Sequence, residues 1–217
     1  MITDSFELLV FLREKGCLKE LRDPLWWPDS GTYKVIVGAI LTQQTKWEKV
    51  EKSLKNLEKE GINSLEDIAN LDNKTLATLI KPSGFYNTKA KYLLGVSRAV
   101  INEFGDFSTF QREVRRDWLL SLKGLGEESA DSILCYGCKK DYMVVDSYTN
   151  RLLEAFGYEF DSYEEIAIWM REGISCNLEK IFSLYEKEMK LYEIYALFHG
   201  EIVEYCKENS RGKKVII

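Results

Sequence analysis

The sequence predicts an all-α protein, and three features carry this prediction. Apolar residues recur at the three- and four-residue spacing of an amphipathic helix almost throughout the chain, as at Leu93, Leu94, Val100 and Ile101. The alternation of apolar and polar residues that is typical of a half-buried strand is nearly absent. Helix start and stop signals separate the periodic segments. We therefore expect about ten short helices and little or no sheet.

The start and stop signals give the approximate order of these helices. Ser64 begins a Ser-Leu-Glu-Asp sequence with the form of a capping box, and Asn73 and Ser162 each precede a further helical segment. Residues 142–145 are predicted to form a buried extended link. The stop signals are the glycines Gly84, Gly105, Gly124, Gly137 and Gly157.

The composition is that of a folded protein without a membrane segment. Of the 217 residues, 45% are hydrophobic and 30% are charged, which allows a substantial core and does not favour disorder. No stretch approaches the ~18 uninterrupted apolar residues that a transmembrane helix needs. The first residues also lack the basic and apolar regions of a signal peptide, so we expect a cytoplasmic location.

The cysteine and histidine content limits the possible chemistry. The five cysteines are scattered, and without a secretion signal they are expected to be reduced thiols. The single histidine, His199, excludes a zinc site built on several imidazoles. Cys135 and Cys138 form a C-x-x-C pair, but no second pair completes a tetrahedral site, and two apolar side chains on one helix are the better interpretation. We expect no metal and no cofactor.

The net charge of −5 counts against a nucleic-acid binder, because such proteins are more often basic. Positive charge is nevertheless gathered locally, although spaced lysines are usually only a solvated helix face. The local clusters are Lys46, Lys49, Lys52 and Lys55, then Arg112, Arg115 and Arg116, and finally Lys207, Arg211, Lys213 and Lys214.

The most informative segment lies between residues 116 and 156. There Gly124, Leu125 and Gly126 separate two helical stretches, and glycines at a helix start expose N–H groups that can bind a phosphate. Leu125 is expected to point inward and fix the turn. Alone, such a tripeptide is more often an ordinary helix–helix connection. Its context adds specificity, because Asp146 opens the next helix 146 − 126 = 20 residues later.

Several motifs in this order resemble the helix-hairpin-helix signature of the endonuclease III superfamily of DNA glycosylases. The resemblance covers roughly residues 28 to 205. The stretches that carry it are L-T-Q-Q-T at 41–45, G-F-Y-N-T-K-A at 84–90, L-K-G-L-G at 122–126, S-A-D at 129–131, V-D-S at 145–147, Arg151, and His199 with Gly200.

The resemblance implies an all-helical fold of two lobes with a DNA cleft between them. Residues 28–137 would form a six-helix lobe that contains the hairpin, and residues 1–27 with 138–217 would form the second lobe, which carries the aspartate helix. The implied partner is damaged double-stranded DNA. We expect the protein to bind it as a monomer, and we expect neither a membrane nor an obligate protein as a partner.

Two departures from the family pattern predict the subtype. Members that also cut the strand carry a lysine 18 residues before the aspartate, and here 146 − 18 = 128 is Glu128. A carboxylate cannot form a Schiff base, so we predict a monofunctional glycosylase that leaves an abasic site. Many relatives hold an iron–sulfur cluster after the His-Gly pair, but only Cys206 follows it here, so no cluster is expected.

Tryptophans accumulate where the family's base pocket is expected, at Trp26, Trp27 and Trp47. Each is as easily a core residue, but together they predict a slot in which a positively charged base stacks, a contact worth about 0.5 to 2 kcal/mol. With the missing cluster, they make the chain most similar to the 3-methyladenine DNA glycosylase III branch. That similarity implies that Glu128 and Lys207 also border the pocket.

We predict that Asp146 is the catalytic residue. Breaking the glycosidic bond builds positive charge on the deoxyribose, which a carboxylate facing C1′ stabilises. The simpler interpretation is an N-cap, worth roughly 0.5 to 2 kcal/mol, and the two roles are compatible because helix N–H groups keep the carboxylate anionic. A cationic purine leaves as a neutral base, so no strong general acid is needed. Glu201 is expected to pair with a lysine or arginine rather than to act in catalysis.

The remaining predicted residues contact DNA. The resemblance implies that Gln43, with Gln44 adjacent, fills the gap left by the flipped base, whereas helix capping is their simpler role. The strand would be held by the N–H groups of the hairpin, together with side chains that reach phosphates. The predicted contacts are Gly124, Leu125, Gly126 and Glu128 in the hairpin, and Lys46, Lys89, Lys91 and Arg151 on phosphates.

Two alternatives remain open from the sequence. One is a bifunctional glycosylase/lyase acting on oxidised pyrimidines, which would form a covalent adduct with DNA. The other is a non-enzymatic helix-hairpin-helix module that binds DNA and is indifferent to an Asp146→Asn substitution.

Overall fold

The computed structural model describes residues 2–18 and 23–217. Within this part of the chain nearly all regular structure is helical, which confirms the predicted all-α class. The helices are α1 (Ser5–Glu14), α2 (Lys34–Leu41), α3 (Trp47–Lys59), α4 (Leu65–Ala69), α5 (Asn73–Leu79), α6 (Tyr86–Phe104), α7 (Phe107–Glu113), α8 (Arg116–Ser121), α9 (Glu127–Ser132), α10 (Ser147–Ala155), α11 (Tyr163–Ser175), α12 (Leu178–Tyr185) and α13 (Leu191–Glu208).

Shorter elements complete the fold. A 3-10 turn covers Lys81–Ser83, and a π-helical turn, Ile133–Gly137, continues directly from α9. Two antiparallel strands, β1 (Ser210–Arg211) and β2 (Lys214–Val215), pair Ser210 with Val215. No helix in residues 2–18 and 23–217 is both long and apolar enough to span a membrane.

The chain divides into two compact units. The contiguous unit is Asp29–Lys139, and the discontinuous unit combines Met1–Pro28 with Lys140–Ile217. The contiguous unit is built around α6, which packs against α2, α4, α5 and α7. The apolar face of α6 supplies Leu93 and Val100, both fully buried, so the longest helix of this unit forms the centre of its core.

The discontinuous unit is built around α13. This helix packs against α1 and α10, while α11 also packs against α1, and β2 contacts α10. Most of α13 is buried, including the large side chains of Tyr195 and Phe198. Because α13 is buried over most of its length and contacts both α1 and α10, it is the central helix of this unit.

Several local predictions agree with the structure, and one boundary differs. Ser64 and Ser162 are N-caps whose side chains accept from backbone N–H groups. Asp72, rather than Asn73, caps α5, because its carboxylate accepts from the N–H groups of both Lys74 and Thr75. Residues 142–145 belong to no helix or strand, and Met143, Val144 and Val145 are buried, which agrees with the predicted buried link. The described residues contain thirteen α-helices instead of about ten, since several are of only five to seven residues.

Candidate active site

Asp146 is held rigidly at the N-terminus of α10. Its Oδ1 atom accepts hydrogen bonds from the N–H groups of Tyr148 and Thr149 at 2.9 and 2.8 Å, and from the Thr149 hydroxyl at 3.0 Å. The buried link that ends at Val145 fixes the backbone on the other side. The predicted N-cap role is therefore confirmed, and it leaves the second carboxylate oxygen outside the cap.

The second oxygen of Asp146 faces His199 on α13. His199 Nε2 lies 3.6 Å from Asp146 Oδ2, and the two side chains are 4% and 12% exposed. Burial raises the pKa of the Asp146 carboxyl, but His199 and the donors of Thr149 outweigh it, so that the pKa lies below its ordinary value. Asp146 is thus a fixed, anionic carboxylate with a small opening to its surroundings.

Trp26 also contacts His199. The two rings meet edge to face with centroids 5.4 Å apart, and Trp27 contacts Trp26 in the same manner at 6.3 Å. The Trp26 backbone has φ +69°, a conformation that costs a non-glycine residue about 1 to 3 kcal/mol. A Cβ atom at Gly200 would overlap the Trp26 side chain, so glycine at this position of α13 lets the indole pack directly on the helix.

Two charged side chains further along α13 also contact Trp26. The indole Nε1 donates to Glu204 Oε1 at 3.1 Å, and the Lys207 ammonium lies 5.7 Å from the Trp26 ring centroid. Lys207 also donates to Glu204 Oε1 at 3.0 Å. The discontinuous unit therefore brings Asp146, Trp26, Trp27 and Lys207 together around α13.

The hairpin in the contiguous unit has the predicted form. Gly124 has φ +98°, and a Cβ atom there would overlap the Tyr92 ring, so both the backbone and the packing require glycine. Gly126 is the N-cap of α9 in an extended conformation that any residue adopts, so its backbone does not require glycine. Leu125 is 7% exposed and points inward, as predicted. Arg116 on α8 joins the two helices of the hairpin, because its guanidinium donates to both carboxylate oxygens of Asp131 on α9, at 2.6 and 3.1 Å.

A shallow groove of about 540 Å³ runs along this hairpin. Lys91 on α6 and Lys123 in the hairpin turn both line it and are exposed. The carbonyl oxygen of Gly124 and the hydroxyl of Ser129 accept from the amide nitrogen of Gln43 at 2.8 and 3.2 Å. The loop that follows α2 is therefore attached directly to the hairpin.

The sequence matches the model of the HhH-GPD superfamily of base excision DNA repair proteins over residues 37–175. The chain belongs to this superfamily. The matched range begins in α2 and ends in α11, so it includes the hairpin, Asp146 and the Gln43 loop.

Known HhH-GPD proteins are similar over most of the chain. A protein of Methanocaldococcus jannaschii, provisionally named as a DNA repair glycosylase, is 38% identical over 87% of this chain and 82% of its own length. The crystal structure of H. pylori 3-methyladenine DNA glycosylase bound to 1,N6-ethenoadenine superposes with a TM-score of 0.93 and 42% identity, covering 96% of this chain and 100% of that one. A trapped endonuclease III–DNA intermediate, at 17% identity, shares the fold with a TM-score of 0.72 over 99% of this chain and 91% of the other.

The remaining predicted base-pocket residues of this HhH-GPD chain lie in the contiguous unit. Trp47 is the half-buried first residue of α3, and Glu128 is exposed in the first turn of α9. Both have polar or ring contacts of their own. Their role as pocket residues stays a prediction.

The predicted DNA contacts differ in their accessibility. Lys46 and Gln44 are exposed at the start of α3, and Gln44 has a left-handed backbone with φ +53°. Gln43 is half-buried, and both N–H groups of its amide are used by the hairpin. The Arg151 guanidinium lies 4.6 Å from the Tyr148 ring centroid and donates to the carbonyl and hydroxyl oxygens of Ser147, one turn back.

The predicted phosphate contact of Lys89 is wrong. Its side chain is buried, and the ammonium donates to the carbonyl oxygens of Leu41 and Ser83 and to the Thr45 hydroxyl, at 2.7 to 2.9 Å. Burial lowers the pKa of Lys89 to about 8. Because all three ammonium hydrogens are used inside the contiguous unit, Lys89 joins α2, the 3-10 turn and α6 instead of binding DNA.

Glu201 forms the expected pair with an arginine, inside the discontinuous unit. Its Oε1 atom accepts from Arg13 and from the Tyr185 hydroxyl, both at 3.2 Å, and the Arg13 guanidinium stacks 4.4 Å from the Tyr185 ring centroid. Its side chain is fully buried, and its Oε2 atom has no hydrogen-bond partner among the described residues. Burial raises the pKa of Glu201 to about 8, against the lowering effect of Arg13 and Tyr185.

Two further residues are absent from the sequence prediction, Glu204 in this site and Phe85 in the contiguous unit. Glu204 binds both Trp26 and Lys207, and its position three residues before Lys207 on one helix was the available signal. Phe85 is 67% exposed and has a left-handed backbone with φ +45° at the start of α6. A large exposed aromatic residue in a strained conformation is a signal of function that only the structure reveals.

Among residues 2–18 and 23–217, no three His, Cys, Asp or Glu side chains lie close enough together to hold a metal ion. Cys135 and Cys138 are buried in the π-helical turn and directly after it. Their predicted role as apolar side chains agrees with this burial.

Proposed function

We propose that this base excision repair protein is a monofunctional DNA glycosylase that removes positively charged alkylated purines, such as 3-methyladenine, from duplex DNA. The observation that carries the proposal is that His199 contacts both Asp146 and Trp26 within one unit. It sets an anionic carboxylate close to an indole ring. A carboxylate stabilises a cationic sugar, and an indole face binds a cationic base.

In the proposed reaction, the damaged nucleotide leaves the duplex at a cost of a few kcal/mol, and its base stacks against Trp26. The glycosidic bond then breaks, the electron pair goes to the base, and positive charge develops at C1′. Asp146 is held anionic by Thr149 and His199, so it stabilises this charge without reorganisation. Water adds to C1′ and loses a proton to the solvent, which leaves an abasic site. Because the departing base becomes neutral, no acid is required to protonate it.

The absence of a lysine at position 128 supports the monofunctional part of the proposal. Glu128 lies at the start of α9, next to the hairpin, and its carboxylate cannot attack C1′ to form a Schiff base. The resemblance to H. pylori 3-methyladenine DNA glycosylase supports the substrate class. We further propose that the protein binds DNA as a monomer, with the hairpin N–H groups, Lys91 and Lys123 contacting phosphates.

The test is a base-release assay on duplexes that contain 3-methyladenine, 7-methylguanine, uracil or an oxidised pyrimidine. We expect release of the methylated purines, strand breaks only after heating in alkali, and no covalent adduct on borohydride treatment. An adduct, or a preference for the oxidised pyrimidine, would overturn the proposal in favour of a bifunctional enzyme.

A pair of variants tests the role of Asp146. Asp146→Asn keeps an N-cap but removes the charge, so we expect base release to fall at least about 100-fold while binding to abasic DNA is retained. Asp106→Asn is the matched control, because Asp106 caps α7 through the Thr109 N–H in the contiguous unit. Base release by Asp146→Asn as fast as by Asp106→Asn would contradict a catalytic Asp146, whereas DNA binding without base release by the parent and both variants would support a binding module.

A further inference from the structure

Glu204 and Lys207 on the last turns of α13 form a connected cluster with Trp26, which packs against this helix. A single atom, Glu204 Oε1, accepts from the Trp26 indole at 3.1 Å and from the Lys207 ammonium at 3.0 Å. The same ammonium lies 5.7 Å from the Trp26 ring centroid. One carboxylate oxygen therefore determines both where the indole ring is held and where the nearest positive charge sits.

We infer that Glu204 is a positioning residue that makes this site selective for a positively charged base. The inference rests on the proposed function, because it assigns the selectivity of the same Trp26 site. An uncompensated Lys207 ammonium next to Trp26 would compete with a cationic base for the ring and would repel it. Glu204 balances that charge, and by accepting from the indole N–H it also increases the electron density of the ring.

The geometry supports a role in selectivity beyond simple packing. Trp26 is held in a strained backbone conformation, and its side chain packs on Gly200, one turn of α13 before Glu204. The Glu204 and Lys207 side chains are 34% and 45% exposed, so they remain close to solvent and to any ligand that reaches the ring. At this exposure, an ion pair contributes little to stability, so a variant of Glu204 tests its effect on binding with little loss of fold.

The first experiment measures the affinity of the full chain for two free bases by isothermal titration calorimetry at one fixed pH. 3,9-Dimethyladenine is cationic at neutral pH, and 1,N6-ethenoadenine is neutral. Glu204→Gln keeps an acceptor for the indole N–H but removes the charge. We expect it to weaken binding of the cation by about 2- to 30-fold, the range of a cation–π contact, and to change binding of the neutral base less than about twofold.

Three further variants separate charge from structure. Lys207→Met should leave cation binding equal or stronger, and the double variant Glu204→Gln with Lys207→Met should return to within about threefold of the parent. Glu204→Ala also removes the acceptor of the indole N–H, so it should lower the affinity for both bases. Glu208→Gln changes the net charge by the same amount at an exposed position one turn further on, and should alter neither affinity.

Several results would overturn the inference. These are an equal effect of Glu204→Gln on both bases, no recovery in the double variant, weaker cation binding by Lys207→Met, or no binding of the cation by the parent protein. Release of 3-methyladenine from DNA is measured in parallel with the parent protein. If the parent releases the base but Glu204→Gln leaves the ratio of affinities unchanged, the inference fails and the proposed function stands. If the parent releases no alkylated base, the proposed function fails independently.

Discussion

The buried Glu201 should make the stability of this protein fall as the pH rises through neutrality. Its pKa rises from 4.5 in the unfolded chain to about 8 in the folded protein, mainly because burial disfavours the charged form. Between these two values the folded state holds a proton that the unfolded state has released. The free energy of unfolding therefore decreases with increasing pH in this window, and the loss is complete above about pH 8.

The magnitude follows from the width of the window. Each pH unit between 4.5 and about 8 costs about 1.4 kcal/mol, so the full loss is about 5 kcal/mol. Glu201→Gln retains an oxygen that accepts from Arg13 and Tyr185 but does not titrate. The free energy of unfolding of the variant minus that of the parent should therefore increase by about 5 kcal/mol between pH 4.5 and pH 8.5.

Urea denaturation followed by circular dichroism at half-unit pH steps measures this difference. The control is Glu208→Gln on the same helix, whose exposed carboxylate should leave the pH dependence unchanged. Parallel curves for the parent and Glu201→Gln, or a difference that grows as the pH falls, would refute the assignment of a raised pKa to Glu201.

Two further predictions concern the contiguous unit. Gly124→Ala places a methyl group on a left-handed backbone and against the Tyr92 ring, so it should lower the free energy of unfolding by about 2 to 4 kcal/mol. The control Gly61→Ala also has a positive φ, +73°, but open space around it, and should cost only about 1 kcal/mol. Thermal unfolding compares the two variants, and equal losses would mean that the hairpin relaxes around the new methyl group. Phe85→Ala removes an exposed aromatic side chain that we expect to insert beside the flipped nucleotide, and should slow base release from duplex DNA about 10-fold with a smaller effect on single-stranded DNA. Ile168→Ala, which truncates an exposed apolar residue on α11, is its control, and an equal effect on both DNA forms would exclude the insertion role.

The sequence predicts those parts of the fold that depend on local interactions. The caps at Ser64, Ser162 and Asp146 are confirmed because each needs only N–H groups two or three residues away. The inward Leu125 is confirmed for a similar reason, since a short turn between helices leaves few directions for its middle residue. The sequence does not distinguish Asp72 from Asn73 as the cap of α5, because both residue types are good N-caps.

Features that depend on distant parts of the chain were harder to predict. Lys89 looks like a surface lysine in the sequence, but its acceptors Leu41, Thr45 and Ser83 come from other segments of the contiguous unit. The contact between His199 and Asp146 likewise joins residues 53 positions apart (199 − 146). No periodicity encodes such partners, because they are set by how the helices pack.

The division of the chain into units has a consequence for its synthesis on the ribosome. Helix α1 packs on α11 and α13, and Trp26 packs on Gly200, so these early segments find their partners only when the last helix has been translated. The contiguous unit, from Asp29 to Lys139, is complete long before. In a nascent chain, the contiguous unit should therefore fold while the N-terminal segment is still unpacked. The leucines of α1 then stay exposed and can bind chaperones until α13 has been synthesised.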